Sequence, residues 1–350
     1  MGHGLSSRTL AVLSGAMNSK SAFTNSAPSP AVHRGHPDRL LGYVMVLTSA
    51  TLWGLSGTAA QQLFQADGFT PTWLVTVRMG VSGVLLLTVT GLRLGGRALR
   101  GPWRNAAQLG RLWLFALLGL LGVQYSYMAS IRLGNAATAT FLQYLGPALI
   151  VVYVALHNRR WPTRRELLAL SLAVVGTFLL VTNGSVHTVA VPAGAVAWGL
   201  VSALALAFYT LFPTRLMQQY GTLPIVGWAM FLGGLACSLV APPWRVTGQH
   251  WSIEVLLLVG FVVLGGTLLA FYLYLASTRY ISPTEAGLAA CVEPLSAAVA
   301  SVLWLHTHLG VATLLGGLSI LGTVTVLSLK SGVLGVLGVR LRYTKWYFWR

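Results

Sequence analysis

Between Leu40 and Leu329 the chain runs through ten apolar stretches, at approximately 40–64, 73–92, 112–131, 135–156, 166–182, 192–212, 224–241, 254–275, 284–304 and 311–329. Each is close to the roughly 20 residues that an α-helix needs to cross the hydrocarbon core of a bilayer. In lipid, every backbone N–H and C=O must be satisfied within the spanning element, so segments of this length and composition become helices. Composition agrees: 55% of residues are hydrophobic, 8% are charged and the mean hydropathy is +0.71, against about 25% charged residues in a soluble domain. The expected fold class is an all-α integral membrane protein with ten transmembrane helices.

The basic residues supply a second constraint. A formal charge of +17 would, on a soluble chain, suggest nucleic acid. Assigned to alternate sides of the ten spans, however, twenty of the 23 Lys and Arg residues fall on one side; Arg132 and Arg245 fall on the other, and Arg78 lies within a span. That asymmetry satisfies the positive-inside rule and puts both termini in the cytoplasm. Topology accounts for the charge, so no nucleic-acid partner is expected, and the chain is read as a multi-pass membrane protein.

The chain also repeats itself. Tyr125, Tyr127, Ala129, Ser130 and Arg132 recur as Tyr272, Tyr274, Ala276, Ser277 and Arg279 at an offset of 147 residues, and the same offset pairs Pro147 with Pro294. The two units are 40–182 and 192–329. Five spans per unit is an odd number, so the second unit enters the membrane from the opposite side and the repeats are inverted. Secondary transporters of this construction hold their substrate near the midplane, at the repeat interface. Outside the repeats, residues 1–38 read as a disordered cytoplasmic tail rich in Ser, Gly, Pro and His. Residues 330–350 read as a basic, aromatic cytoplasmic tail suited to an anionic membrane surface.

Of the six acidic residues, five have structural explanations. Thr163 with Glu166, and Ser282 with Glu285, have capping-box spacing. Glu254 falls in the first turn of span eight, where negative charge suits the helix dipole, and Asp38 and Asp67 occupy flanking or loop positions. Glu293 remains, in the middle of span nine. An ionisable residue at that depth costs about 2.5–3.5 kcal/mol on insertion scales and marks a functional site by default. Pro294 follows it and deprives the Ala290 carbonyl of its helical partner, so the acid sits at a helix break. Pro147 acts likewise on Gln143 in span four. Glu293 is read either as a transport residue or as half of a structural ion pair with Arg78; Arg78 would neutralise that acid or bind an anionic group.

Further pathway candidates lie on helical stripes. Trp53 and Gln61 share a face of span one with Gly57, Gln143 shares one in span four with Ala136, Thr140 and Pro147, and Tyr209 shares one in span six with Trp198, Ser202 and Ala205. Tyr125 and Tyr272 come from the repeated motif. Residues two apart on a helix point in nearly opposite directions, so only one tyrosine of each motif can face a pore. Intramembrane Gln and Ser are equally able to act as interhelical glue. Cys237 and Cys291 fall inside spans, and His306-Thr307-His308 lies in a loop with no nearby carboxylate, so neither a metal nor a cofactor is expected. Gly316-Gly317 suits homodimerisation or internal packing equally.

Ten spans in two five-helix copies, Trp53-Gly54, Arg78, a proline within the fourth helix and Glu293-Pro294 in the ninth together resemble the EamA-like branch of the drug/metabolite transporter superfamily. The resemblance covers about residues 40–329. It implies a cytoplasmic-membrane transporter, many of whose relatives export amino acids or other metabolites, with a central cavity lined by both repeats. The family often carries a Glu shortly after the fourth and ninth helices; here those places hold Arg159-Arg160 and His306-Thr307-His308. The expected function is a secondary active transporter, in the export direction, of a small organic solute such as an amino acid, amine or related metabolite, working by alternating access. Glu293 would bind a cationic group or a proton, which makes proton or cation coupling the expected drive. No HExxH, GxSxG or ATP-binding loop is present, so the chain is not expected to be an enzyme. The competing readings are a non-transporting membrane scaffold or sensor and, behind it, an intramembrane enzyme.

Overall fold

A computed structural model of the protein describes residues 37–185 and 190–336. The two expected tails fall outside these residues over 1–36 and 337–350, although the tenth helix runs on to Val336, past the expected end at 329. Every described element is helical. Among the described residues, nine helices are long and apolar enough to cross a membrane, and a bent pair makes ten when counted as one span. The spans are Arg39–Gln65, Pro71–Leu94, Ala106–Leu133, Ala136–His157, Arg164–Thr182, Ala193–Leu211, Thr222–Ser238, Ile253–Ser277, Glu285–Leu303 and Val311–Ser328. The seventh is the short one, with 17 residues. It is preceded by the helix Thr214–Tyr220, bent from it by 119°. Gly221 makes that bend with φ +86°, a conformation that a residue with a Cβ rarely adopts.

Sequence signals at the helix ends act as expected. Thr163 and Glu166, and Ser282 and Glu285, each form a complete capping box. Glu166 also takes a bidentate ion pair from Arg160, at 2.8 and 2.9 Å; this pair raises the Arg160 pKa above its ordinary value. In the loop after span one, burial raises the pKa of Asp67.

Packing follows the repeat. Span two lies on span seven, span four on span nine and span five on span ten, and each of these pairs joins equivalent helices of the two units. Span three packs on span six through Ser130, whose hydroxyl donates to the Ala195 carbonyl at 2.7 Å. Its counterpart, span eight, meets span one through Ser49, whose hydroxyl donates to the Ala270 carbonyl, also at 2.7 Å. Close approach depends on small residues, as in membrane bundles generally. Gly316 meets the backbone of Gly176 and Leu180 in span five, and Gly317 lies under the ring of Phe141. Both glycines are thus committed to internal packing.

Two departures from regular helix also obey the repeat. Spans four and nine are each broken, into Ala136–Gln143 with Gly146–His157 and into Pro283–Ala289 with Val292–Leu303. Spans three and eight each contain a π-helical stretch, Phe115–Leu121 and Phe261–Leu269. Widened turns of that kind recur at functional sites.

Candidate functional site

Pro294 lacks an N–H and its ring crowds the carbonyl four residues back, so span nine cannot continue through Ala290. The helix restarts at Val292, which puts Glu293 in the first turn of Val292–Leu303, at the positive end of a helix dipole. The carbonyl freed at Ala290 is capped across the repeat interface: the Tyr144 hydroxyl donates to it at 2.7 Å and lies 3.2 Å from Glu293 Oε2. Tyr144 sits at the corresponding break in span four. The two broken helices therefore meet at their breaks, with the acid between them.

Span one supplies the opposite wall. A Cβ on Gly54 would fall 2.5 Å from the Glu293 carbonyl oxygen, so only glycine lets span one approach the backbone there. One residue earlier, Trp53 packs against Phe271 and Tyr274 of span eight, with ring centroids at 5.2 and 5.4 Å. Tyr127, from span three, is buried, shares a 2.8 Å hydrogen bond with Thr140 and lies over Gly57. Glu293 is within electrostatic reach of Tyr127, Tyr144, Tyr274 and Arg78. Glu293, Trp53, Tyr144, Tyr209 and Tyr274 all keep part of their surface accessible despite their depth in the bundle.

Arg78 is 4% exposed and does not form the ion pair with Glu293 that was the alternative to a transport role. The ion pairs among the described residues are Arg39–Glu285 and Arg160–Glu166. Instead, Arg78 Nε donates to Thr267 Oγ1 at 3.2 Å, and Thr267 in turn donates to the Val262 carbonyl five residues back, within the π-helical stretch. Of the five N–H donors on a guanidinium, Nε alone has an acceptor among the described residues. A buried cation and a partly accessible anion thus lie within electrostatic reach of each other, yet among the described residues neither is neutralised by direct contact.

The other expected pathway residues divide. Trp53 belongs to the Glu293 group, and Tyr209 adjoins it, stacked on Phe115 at 5.6 Å and within electrostatic reach of Tyr274. Gln61 does not face open space: it is 3% exposed, and its Oε1 accepts from the Ala136 N–H at 2.8 Å, capping the start of span four. Gln143 donates to Ser202 Oγ at 2.7 Å and so links spans four and six. Tyr125 packs edge-on to Trp198 with centroids 5.4 Å apart. Tyr272 is 50% exposed, and in its place Tyr274 faces the acid. In both copies of the motif, the second tyrosine turns inward. The same repeat that flagged the motif could have selected Tyr127 and Tyr274, had the direction of either helix face been readable. Tyr144 was missed although it completes an i, i+3, i+4, i+7 face with Thr140, Gln143 and Pro147, a spacing that could have found it.

An acid ringed by accessible aromatic faces is suited to a cation, which gains from the carboxylate and from the quadrupoles of the rings. The unspent donors of Arg78 suit a carboxylate.

Comparison with known proteins bears on this arrangement. The profile of the EamA-like transporter family matches residues 40–182 and again 193–329. The chain belongs to the EamA-like transporter family. A relative named "Uncharacterized inner membrane transporter YicL", from Salmonella typhimurium, is 38% identical over 292 residues, which is 83% of this chain and 96% of that one. "Uncharacterized transporter YdfC" of Bacillus subtilis is 23% identical, over 75% of this chain and 84% of its own length. A solved structure titled "Crystal structure of protein" shares the fold, with a TM-score of 0.56 at 19% identity, over 85% of this chain and 98% of that one. This EamA-like chain is therefore a multi-pass membrane protein of a transporter family with two repeats, and its named relatives are transporters rather than enzymes.

Proposed function

We propose that this EamA-like protein is a secondary active exporter of a small organic solute carrying a cationic group, an amino acid, an amine or a related metabolite. The observation that carries the proposal is Glu293, partly accessible and in no ion pair among the described residues, at the point where the two broken helices and span one converge. The solute's ammonium group faces the Glu293 carboxylate and the rings of Trp53, Tyr144 and Tyr274; a solute that also bears a carboxylate turns it to Arg78. A proton on Glu293 competes with the solute, which couples export to inward proton movement. Both termini face the cytoplasm, and the repeats rock about the site to expose it to one side at a time. Span one is placed to respond, since it touches span nine at Gly54 and caps span four through Gln61.

The test is the thermal stability of the purified protein and of its Glu293→Gln variant with amino acids, amines, nucleosides and cationic drugs. A ligand present at about 100 times its Kd stabilises by roughly 2.7 kcal/mol. Stabilisation of the wild type by one chemical class, lost in the variant, supports the proposal. If no solute stabilises either protein, or if the variant responds as the wild type does, Glu293 is not the binding group.

A further inference from the structure

A groove of about 400 Å³ opens between spans two and seven, far from the Glu293 group in sequence and lined by Val84, Leu87, Thr88, Gly91, Leu99 and Trp228 among others. Its walls are almost wholly apolar. Gly91 deepens it: a Cβ there would meet only one terminal methyl of Leu99, at 3.2 Å. The rim is fixed. Trp228 Nε1 donates to the Leu99 carbonyl at 2.9 Å, and Trp103 packs edge-on to Trp228 with ring centroids 4.7 Å apart. Leu99 belongs to Gly96–Arg100, a short helix that follows span two.

The same segment is strongly basic. Arg93 directly follows the lining residue Leu92, Arg100 directly follows the lining residue Leu99, Arg97 lies two positions before Leu99 in the same short helix, and Arg104 follows Trp103. All four are exposed, and none has an acidic partner among the described residues. An open, apolar groove of about 400 Å³, rimmed by tryptophans and bordered by arginines with no acidic partner among the described residues, matches an amphiphile with a negative head. Arg is the side chain best shaped for bidentate contact with phosphate. Tryptophan favours the level of the headgroups, where its ring is half in hydrocarbon and its N–H meets a polar group.

We infer that this groove binds an anionic phospholipid, with an acyl chain against Gly91, Leu87 and Trp228 and the phosphate held by Arg97 and Arg100. The lipid would wedge between spans two and seven, equivalent helices that pack across the repeat interface. This site is independent of the solute site proposed above.

The experiment uses the full-length protein in detergent, with phosphatidylglycerol, phosphatidylcholine or glycerol phosphate added, and reads retained lipid by native mass spectrometry together with the melting temperature. The expected result is retention of phosphatidylglycerol in preference to phosphatidylcholine, with no effect of glycerol phosphate, because the groove requires a chain. An Arg97→Ala/Arg100→Ala variant should melt normally without lipid and lose that preference by roughly thirtyfold, since each of the two surface cations removed is worth on the order of 1 kcal/mol against an anionic lipid. Gly91→Leu, which fills the groove from its floor, should lower retention of both phospholipids. Equal retention of the two phospholipids by the wild type, an unchanged preference in the double variant, or full retention by Gly91→Leu would each overturn the inference. So would stabilisation by glycerol phosphate alone.

Discussion

Replacing Tyr144 with Phe removes one oxygen from the junction of the broken helices and leaves the ring in place. The hydroxyl donates to the Ala290 carbonyl at 2.7 Å and lies 3.2 Å from Glu293 Oε2. Ala290 is 8% exposed, and an orphaned buried carbonyl would cost about 1–3 kcal/mol. It is not orphaned in the variant, because the Glu293 N–H also reaches it, at 2.9 Å. The expected loss is therefore that of one interhelical hydrogen bond in a membrane, on average about 0.6 and at most about 1.7 kcal/mol. Unfolding in mixed micelles by titration with a denaturing detergent reads that difference. Combining Tyr144→Phe with Glu293→Gln in a double-mutant cycle should give a coupling of roughly 0.5 kcal/mol or more, as for groups in direct contact. A loss well above 3 kcal/mol would mean that the hydroxyl holds the break itself together. No loss and zero coupling would mean that Tyr144 does not cap Ala290.

Gly54→Ala forces a Cβ to within 2.5 Å of the Glu293 carbonyl oxygen; overpacking of this kind costs typically 1–3 kcal/mol, and a thermal melt indistinguishable from wild type would contradict the close approach. Tyr274→Ala should impair solute binding while Tyr272→Ala should not, in the same thermal-shift panel; the reverse result would mean that the inward tyrosine has been misassigned. Glu166→Ala removes half of a capping box and its bond to Arg160, so stability should fall by about 0.5–2 kcal/mol, as for loss of a helix cap, with ligand affinity unchanged. A shift in affinity would tie span five to the solute site.

How much of this was legible in the sequence depends on the range of the forces involved. The spans, the capping boxes and the helix break at Pro294 are local consequences of apolar length, side-chain spacing and a missing N–H. The repeat offset of 147 residues likewise pointed to the equivalence of Pro147 and Pro294, and the structure breaks both helices there. Orientation was not legible. Gln61 and Gln143 lie on stripes that could line a pathway, yet each is satisfied by a partner on another helix, Ala136 and Ser202, that no periodicity reveals. Tyr272 was chosen where Tyr274 turns inward, because a two-residue spacing fixes opposition but not which side is the centre. Arg78 and Glu293 formed a natural pair by charge alone. In the structure Arg78 is held instead by Thr267, whose own position depends on a π-helical stretch that apolar sequence does not announce.

The central claim is that Glu293 is the solute-binding group of a transporter. Its most direct test is flux in proteoliposomes loaded with the stabilising solute, under an imposed proton gradient, comparing wild type with Glu293→Gln at matched incorporation. The account predicts saturable, gradient-dependent flux from the wild type and its loss in a variant that still melts as a folded protein. Undiminished flux through Glu293→Gln would contradict it.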